Sequence, residues 1–516
     1  MSRLARRTEG SDSGFLASGT PAARSARLGS VARPPFVAAP DGAATWAPGL
    51  VSDGPRARNP ESLPSVSIVT LGCSKNEVDS EVMAGILARG GYRLLPEGEM
   101  GEVVLVNTCT FIDAAKQESI DEILGYARLK AEGKIERLVV TGCLVQRYGA
   151  EVAKEIPEID LMLGTTNLDL IASGLGRVRA GERVVELAER GSYVGPLMLE
   201  RMRLAPGVSA PLKIAEGCSK RCAFCSIPSF RGDLRSRPIE TILEEARRLV
   251  AGGVRELLIV SQDTTSYGQD LYGRPRLAPL LRALAETPGV GWVRAHYNHP
   301  AHMDEDLMAA FAETPRLCSY VDMPVQHASD SILAAMNRGT SRDKIRRLLA
   351  RLRERIDGVA IRTTFLLGFP GETEEDFEAV LDLVRVVRFE RIGAFTFSPQ
   401  EGTPAGTMRR RVRPEVVDQR VARLRDLADE ISFEANSARI GRTLEVLVEG
   451  RDHAGRLFGR TEWDAPEVDG LVMLSGDAVP GEFVPVLVSG ATPHDLTGTI
   501  VRAAEQHSAP VRFAAR

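Results

Sequence analysis

The segment "EGCSKRCAFCSIP", residues 216–228, holds three of the seven cysteines in this chain of 516 residues. Cys218, Cys222 and Cys225 follow the short apolar run "LKIAE" (212–216), which predicts a β-strand, so the three thiols come directly after a strand end. A structural zinc site usually has four protein ligands, and no second cysteine pair or nearby histidine supplies a fourth here. Three thiolates can instead hold a [4Fe-4S] cluster and leave one iron open to another ligand.

The chain around this segment alternates strand and helix patterns in six successive units. Between the predicted strands lie amphipathic helix patterns such as "IETILEEARRLVAGG". Six βα units predict a parallel, partial (β/α)6 barrel whose functional residues lie at the carboxyl ends of the strands. The predicted strands are 212–216, 256–262, 292–297, 320–325, 361–367 and 392–397.

Upstream of the barrel, three further βα units each carry a cysteine just after the strand, namely Cys73, Cys109 and Cys143. In an open α/β sheet, ligands bind outside the carboxyl ends of the strands, so neighbouring strands would bring the three thiols together. The alternative is that each is a small buried apolar residue. The sequence predicts one composite site at the edge of an open α/β domain.

The two ends of the chain differ from these units. Residues 1–62 are rich in Ala, Gly, Pro, Ser and Arg and lack apolar periodicity, which predicts a disordered extension. Short β-rich runs divided by Gly, Pro and Asp fill 441–505 and predict a small antiparallel β barrel of the OB type. The predicted domains are therefore 1–62 (disordered), 63–180 (open α/β), 205–438 (partial barrel) and 439–505 (small barrel).

Composition indicates the class of protein but does not identify a partner. The hydrophobic fraction of 43%, the charged fraction of 26% and the net charge of -4 are those of a soluble globular protein. No run of about eighteen apolar residues and no secretory signal occurs, so we expect a cytoplasmic protein without a membrane partner. In that reducing compartment seven cysteines favour metal ligation or catalysis over disulfides.

The cysteine pattern at the end of the first strand of a six-unit barrel resembles the radical S-adenosylmethionine (SAM) superfamily. In that superfamily the open iron binds SAM, and an electron from the cluster cleaves it to a 5'-deoxyadenosyl radical. A member with three separated cysteines in an N-terminal domain and a C-terminal β barrel is similar to the methylthiotransferases. The resemblance implies a second [4Fe-4S] cluster on Cys73, Cys109 and Cys143, a TRAM domain at the C-terminus, and SAM as cofactor.

Seven strings place the resemblance in the RimO group of this family, which methylthiolates the β-carbon of an aspartate in small-subunit ribosomal protein S-twelve (uS12). The tRNA-modifying relatives would be expected to carry a small-residue pair after Gln326, where this chain has His327. A tRNA adenosine methylthiotransferase is the alternative enzyme, and an iron–sulfur carrier is the non-enzymatic one. The strings are "LGCSKNEVDSE", "NTCTFI", "RGDLRSRPIE", "QDTTSYGQDLYG", "DMPVQHASDSILAAMNRG", "SPQEGTPAGTM" and "DAPEVDG".

Charge supplies an argument that is independent of the resemblance. Residues 441–505 contain five arginines and eleven acidic residues, so the module has a net charge of -6. RNA binding requires the opposite sign, because neutralising phosphates supplies most of the affinity. An acidic barrel suits a basic protein such as uS12 and makes tRNA a poor partner, although an acidic surface without any partner is the alternative. The resemblance also implies an electron donor.

The remaining candidate residues lie at predicted strand ends of the barrel. In the superfamily, the region corresponding to Gly368, Gly371 and Glu372 helps to seat SAM, whereas an ordinary βα turn is the alternative. Further candidates for contact with SAM or the target aspartate are Gln262, Asp263, Gln326 and His327.

Overall fold

The computed structural model describes residues 63–187, 201–205 and 207–501. The extension predicted at 1–62 lies outside the described residues. The N-terminal domain is a six-stranded parallel sheet in the order β2-β1-β3-β4-β5-β6. Its strands are β1 (Ser65–Thr70), β2 (Arg93–Leu94), β3 (Val103–Thr108), β4 (Arg137–Gly142), β5 (Leu161–Leu163) and β6 (Val184–Glu186). Its helices are α1 (Ser74–Arg89), α2 (Asp113–Ala131), α3 (Cys143–Glu155) and α4 (Ile171–Arg179).

Helices cover both faces of this sheet, which explains the uniformly apolar strands. Every residue of β3 is buried, as expected for a parallel strand that is covered on both sides. Two separate apolar cores fill the two faces. The sheet continues beyond the boundary predicted at residue 180, because β6 pairs with β5. The open α/β prediction is confirmed.

The central domain is the predicted six-unit partial barrel of parallel strands. Two three-stranded halves, β11-β10-β7 and β12-β13-β14, meet at an isolated bridge between Val293 and Leu317. The strands are β7 (Ser209–Lys213), β10 (Glu256–Val260), β11 (Trp292–Ala295), β12 (Tyr320–Asp322), β13 (Ala360–Leu367) and β14 (Arg391–Thr396), with a small β8 (Ala215–Glu216) and β9 (Arg235–Ser236) ladder. The helices are α5 (Ile227–Phe230), α6 (Ile239–Ala251), α7 (Gln269–Tyr272), α8 (Leu277–Ala285), α9 (Glu305–Glu313), α10 (Asp330–Ala335), α11 (Arg342–Arg355) and α12 (Glu374–Val387).

Two of the predicted barrel strands extend beyond the observed strands at their carboxyl ends. The strand predicted at 292–297 ends at Ala295, and the strand predicted at 320–325 ends at Asp322. Two residues beyond these ends, Tyr297 (φ 59°) and Gln326 (φ 72°), have left-handed backbone conformations, and Gln326 keeps only an isolated bridge to Phe365.

A long helix, α13 (Pro414–Ser437), leads to the C-terminal domain. That domain is a closed barrel in the order β15-β16-β17-β19-β18. The prediction of a small barrel is confirmed, but it is not wholly antiparallel because β17 and β19 run parallel. Its strands are β15 (Thr443–Arg451), β16 (Leu457–Arg460), β17 (Val472–Ser475), β18 (Phe483–Ala491) and β19 (Leu496–Ile500).

The C-terminal barrel packs against the amino ends of the central strands. Trp292, Tyr320 and Ala360 each begin a strand, and they share one apolar cluster with Leu447 and Ala465 of the C-terminal domain. Trp292 also stacks edge-on against Phe483 at 4.9 Å between ring centroids. The C-terminal domain therefore closes the bottom of the barrel, opposite the strand ends that carry the cysteines.

Several acidic side chains of the C-terminal domain lie inside this contact and bind partners in the central barrel. Asp464 pairs with Arg391 at 2.5 Å, Asp469 pairs with Arg362 at 3.4 Å, and Glu462 accepts a hydrogen bond from the backbone N–H of Ser319. Among the described residues of the domain, four acidic side chains and three arginines are exposed rather than half-buried. They are Glu445, Glu467, Asp477 and Glu482, and Arg442, Arg451 and Arg456.

Candidate functional site

The three N-terminal cysteines meet at one edge of the sheet. Cys73 caps α1 after β1, Cys109 follows β3, and Cys143 is the first residue of α3 after β4. These strands are neighbours and parallel, so their carboxyl ends coincide. The thiols are close enough to influence each other, because Cys73 raises the pKa of Cys109 and both raise the pKa of Cys143. We call these residues the N-terminal thiol group.

Asn76 and Arg231 hold the N-terminal thiol group together. The Asn76 amide donates to the carbonyls of Leu71 at 2.8 Å and Thr108 at 3.0 Å, which ties the ends of β1 and β3 together. The Arg231 guanidinium donates to the Cys143 Sγ at 3.1 Å and to the Asn76 Oδ1 at 2.6 Å. Arg231 belongs to the barrel domain, so the site is built from both domains.

Burial and nearby cations together determine the pKa values of these thiols. Burial raises the pKa of Cys143 to about 12 despite the nearby Arg231 guanidinium. Burial also works to raise the pKa of Cys73, but Lys75 and Arg231 outweigh it and hold the pKa below its ordinary value. A metal binds thiolates, so loading the N-terminal thiol group must displace protons.

Cys218, Cys222 and Cys225 form a second group, the barrel thiol group, in the loop between β8 and α5. Burial raises the pKa of Cys218 to about 11 and of Cys225 to about 12. The loop is held by hydrogen bonds from the Cys218 N–H to the Gly232 carbonyl and from the Arg338 guanidinium to the Cys222 Sγ at 3.4 Å. The structure therefore places the barrel thiol group at the end of the first barrel strand, where the sequence predicts it.

A buried charge network lies between the N-terminal thiol group and Glu216, two residues before Cys218. Arg231 donates to the Glu216 carboxylate at 2.9 and 3.0 Å and to Asp79 at 3.2 Å, and Lys213 pairs with the same two carboxylates. Gln262 also donates to Glu216, at 3.0 Å. Burial works against the charge on Glu216, but Arg231 and Lys213 hold its pKa far below the ordinary value. Each charge at this depth is therefore balanced by partners.

The sequence analysis missed three members of this network, Asp79, Lys213 and Arg231. A lysine inside the apolar run of β7 was the available signal, because a charged residue at a buried strand position needs a buried partner. Asp79 lies 152 residues away from Arg231 in the chain, and no pattern in the sequence pairs them.

The residues predicted to seat SAM lie beyond β13 and β12, and most of their polar atoms have internal partners. The Gly368 N–H donates to the Glu372 Oε2 at 2.8 Å, and Arg420 donates to the Glu372 Oε1 at 2.6 Å. The Gly371 N–H donates to the Arg410 carbonyl, and Gln326 bridges to β13 through its backbone. Their contact with SAM stays a prediction.

Asp263 and His327 are engaged locally. Asp263 accepts hydrogen bonds from Thr265 and Ser266 at 2.6 Å, just after β10. His327 is buried, its Nδ1 accepts from the Ser329 N–H at 3.0 Å, and its Nε2 lies 3.5 Å from the Glu372 Oε2. His327 therefore lies against the loop from Gly368 to Glu372.

The donor set fits an iron–sulfur cluster in each thiol group. Thiolates are the ligands that such clusters take, and three of them leave one iron open. The turn at Gly72 is also shaped around a thiol, because a Cβ there would lie 2.9 Å from the Cys109 Sγ. Among the described residues, no group of three or more Cys, His, Asp or Glu side chains is arranged to hold a single metal ion; a four-iron cluster is a larger group.

Three family models match the chain. The radical SAM superfamily matches residues 212–384, the uncharacterized protein family UPF0004 matches 65–164, and the TRAM domain matches 440–501. Within the residues that the structure describes, no helix has the length and apolarity needed to cross a membrane.

Curated proteins are similar over most of the chain. One, "Ribosomal protein uS12 methylthiotransferase RimO" of Symbiobacterium thermophilum, is 46% identical over 439 residues, which are 84% of this chain and 90% of that protein. The protein of the same name from Anaeromyxobacter sp. (strain K) is 47% identical over 435 residues, 84% of this chain and 92% of that protein. The one from Pelotomaculum thermopropionicum is 45% identical over 440 residues and is covered to 99%.

Among solved structures, a similar one is the radical S-adenosylmethionine methyltransferase TsrM from Kitasatospora setae with tryptophan and a SAM analogue bound. The TM-score is 0.50 at 16% sequence identity, over 66% of this chain and 75% of that chain. At this identity the likeness bears on the fold alone.

Proposed function

The chain belongs to the RimO family of radical SAM methylthiotransferases, and from that premise we propose that it methylthiolates the β-carbon of an aspartate in ribosomal protein uS12. This chain matches the relatives that establish the family over nearly the whole length of those relatives. The net reaction replaces one hydrogen of the β-carbon by a methylthio group. A tRNA substrate is not favoured, since the similar curated proteins are named for uS12.

The observation that carries the proposal is the meeting of two thiol groups across one buried charge network. We propose that Cys218, Cys222 and Cys225 hold one [4Fe-4S] cluster, and that Cys73, Cys109 and Cys143 hold a second. When bound, the first cluster supplies the electron that cleaves SAM and the second supplies the sulfur. Arg231 contacts Cys143 on one side and Glu216, two residues before Cys218, on the other, so the N-terminal thiol group is tied to the segment that carries the barrel thiol group.

The chain's own residues supply binding, exclusion of water and charge balance. Arg231, Lys213 and their carboxylates are each below 10% exposed, which keeps water from the space between the thiol groups. A dry pocket that holds the target carbon close is what hydrogen abstraction from an unactivated C–H bond requires. We propose that the loop from Gly368 to Glu372, together with Gln326, seats SAM at the barrel mouth.

We propose uS12 as the macromolecular partner and a one-electron donor as the second partner. The exposed acids Glu445, Glu467, Asp477 and Glu482 are the part of the C-terminal domain that a basic protein could contact. Three exposed arginines lie on the same domain, so its charge favours a basic protein over RNA less strongly than the total of -6 suggests.

The substrate is tested by incubating anaerobically reconstituted protein with SAM, a reductant and either uS12 or unmodified tRNA. We expect mass spectrometry to find a methylthio group on one aspartate of uS12 and none on the tRNA. Modified tRNA beside unmodified uS12 would contradict the proposal. Mass spectrometry of uS12 from a strain without this gene provides the corresponding test in cells, with an unmodified aspartate expected.

The division between the two thiol groups is tested by two triple variants. Changing Cys73, Cys109 and Cys143 to Ala should roughly halve the iron content, because one of two clusters is lost, and leave reductive SAM cleavage measurable. Changing Cys218, Cys222 and Cys225 to Ala should abolish SAM cleavage. Equal loss of cleavage in both triple variants would refute the division.

A further inference from the structure

We propose that Lys75 binds the carboxylate of the target aspartate and so determines which residue of the substrate is accepted. This inference rests on the proposed function, since it concerns the side chain that the reaction modifies. Lys75 lies in the first turn of α1, two residues after Cys73, where the N-terminal domain faces the mouth of the barrel.

Lys75 is buried without a carboxylate partner. It is 8% exposed, and within the described part of the chain its ammonium group pairs with no acidic side chain. Its contact is the aromatic ring of Tyr297, whose centroid lies 3.6 Å from the Lys75 Nζ. An aromatic face attracts a cation but does not neutralise it, and the neighbouring group that can become an anion is the Cys73 thiol, whose pKa Lys75 lowers against the effect of burial. The ammonium group is therefore available to an arriving anion.

The ring that holds Lys75 is fixed in place by the barrel. Tyr297 follows β11 with a left-handed backbone conformation (φ 59°), which is unusual for a large aromatic residue. Asp322 accepts a hydrogen bond from the Tyr297 N–H at 3.0 Å, and the Thr264 hydroxyl donates to the Tyr297 carbonyl at 3.1 Å. A conformation that neighbours hold against its local preference is typical of functional sites.

The other cations at the barrel mouth are already engaged. Lys213 and Arg231 pair with Asp79 and Glu216, and the Lys220 Nζ lies 4.0 Å from the Asp263 carboxylate.

Arg338 has no acidic partner among the described residues either, but it bonds to the Cys222 Sγ and to the Pro324 carbonyl. It therefore serves the barrel thiol group. Lys75 follows the ligand candidate Cys73 by two residues and contacts Tyr297 of the barrel, and unlike Arg231 it has no carboxylate partner among the described residues.

The chemistry of the substrate explains why a cation is needed at this point. In aspartate the carboxylate carbon is bonded directly to the β-carbon, so the group that binds the carboxylate also positions the reacting carbon. An ammonium group beside the N-terminal thiol group would bring the β-carbon close to the proposed sulfur source. Asparagine has the same shape but no charge, so it tests the ionic contact without changing the size of the side chain.

The experiment compares wild type, Lys75→Met and Lys75→Gln as full-length, anaerobically reconstituted proteins. Each is given uS12 and uS12 in which the target aspartate, first identified by mass spectrometry, is changed to asparagine. Equilibrium binding is measured without reductant, and kcat/KM for methylthiolation is measured with reductant. Lys134→Met is the matched control, because Lys134 is exposed and pairs with Glu132 on the surface.

We expect wild type and Lys134→Met to prefer the aspartate form by roughly tenfold to a hundredfold, the range for a hydrogen bond to a charged group. Lys75→Met and Lys75→Gln should bind both forms about equally while retaining wild-type SAM cleavage, which belongs to the barrel thiol group. A preference that persists in both Lys75 variants would overturn the assignment. Loss of about half the iron with the preference intact would assign Lys75 to the thiol group instead. Failure of wild type to modify uS12 at all would overturn the proposed function itself.

Discussion

At the scale of single residues, buried charges hold the three domains together. Glu256, which begins β10, is fully buried and binds the Arg294 Nε at 2.7 Å, the Ser209 hydroxyl at 2.7 Å, and Arg460 of the C-terminal barrel. Its three partners come from three separate parts of the chain. The cysteines could be predicted because their spacing is local, whereas Glu256 resembles any other glutamate in the sequence.

Changing Glu256→Gln should destabilise the protein by about 3–5 kcal/mol, because the buried Arg294 guanidinium loses its counter-charge and Arg460 keeps only Glu449. The free energy of unfolding in urea, measured at neutral pH, checks this. Glu132→Gln is the control, since Glu132 is exposed and pairs with Lys134 on the surface, and it should change stability by less than about 0.5 kcal/mol. Equal effects of the two changes would contradict the prediction.

The same comparison predicts a pH dependence. Burial works to raise the pKa of Glu256, but Arg460 and Arg294 outweigh it and lower the pKa from 4.5 to about 2. A depressed pKa in the folded protein means that the stabilisation is complete above about pH 4.5 and is lost as the pH falls toward 2. The stability difference between wild type and Glu256→Gln should therefore shrink between these values. A difference that stays constant to pH 2 would show that Glu256 has an ordinary pKa.

At the scale of elements, the turn between β1 and α1 positions the N-terminal thiol group. Gly72 has a φ of +94°, and a Cβ there would lie 2.7 Å from the Cys109 Cβ. The sequence predicts a strand, a turn and a helix here. That the turn also packs against a thiol from the next βα unit follows only from the pairing of β1 with β3.

Changing Gly72→Ala should displace Cys109 and reduce the iron content toward half, while reductive SAM cleavage continues. Gly91→Ala is the matched control, because Gly91 also has a positive φ (+80°) but open space around the added methyl group. Both changes carry a backbone cost of more than about 1 kcal/mol, and Gly72→Ala adds the contact with Cys109, so a thermal scan should shift further for Gly72→Ala than for Gly91→Ala. Full iron in Gly72→Ala would show that the turn does not shape this group.

At the scale of the whole molecule, the C-terminal barrel is a structural part of the radical SAM domain. The sequence analysis treats it as an appended binding module, but it covers the amino ends of the central strands, away from the thiol groups. A strand of five residues spans about 17 Å, so this domain lies on the far side of the barrel from the proposed chemistry. Contact of uS12 with both regions would require a partner that reaches around the barrel.

Deleting residues 439–516 should lower the unfolding temperature of the remaining chain and reduce its solubility. Trp292 and Tyr320 would become exposed, and Glu256 and Arg391 would lose their partners Arg460 and Asp464. Differential scanning calorimetry of the truncated and full-length chains checks this. An unfolding transition of the central barrel at the same temperature in both chains would mean that the C-terminal domain is a detachable module.

The sequence by itself determined the class of the fold, the six candidate ligands and the family, because strand periodicity, cysteine spacing and short motifs are local properties of the chain. Only the tertiary structure decided how charges are matched: Arg231 with Asp79 and Cys143, Lys75 with Tyr297, and the acids of the C-terminal domain with arginines of the barrel. A charged side chain needs a partner wherever it is buried. That partner comes from whichever segment folding brings near, and so the matching of charges belongs to the packed molecule.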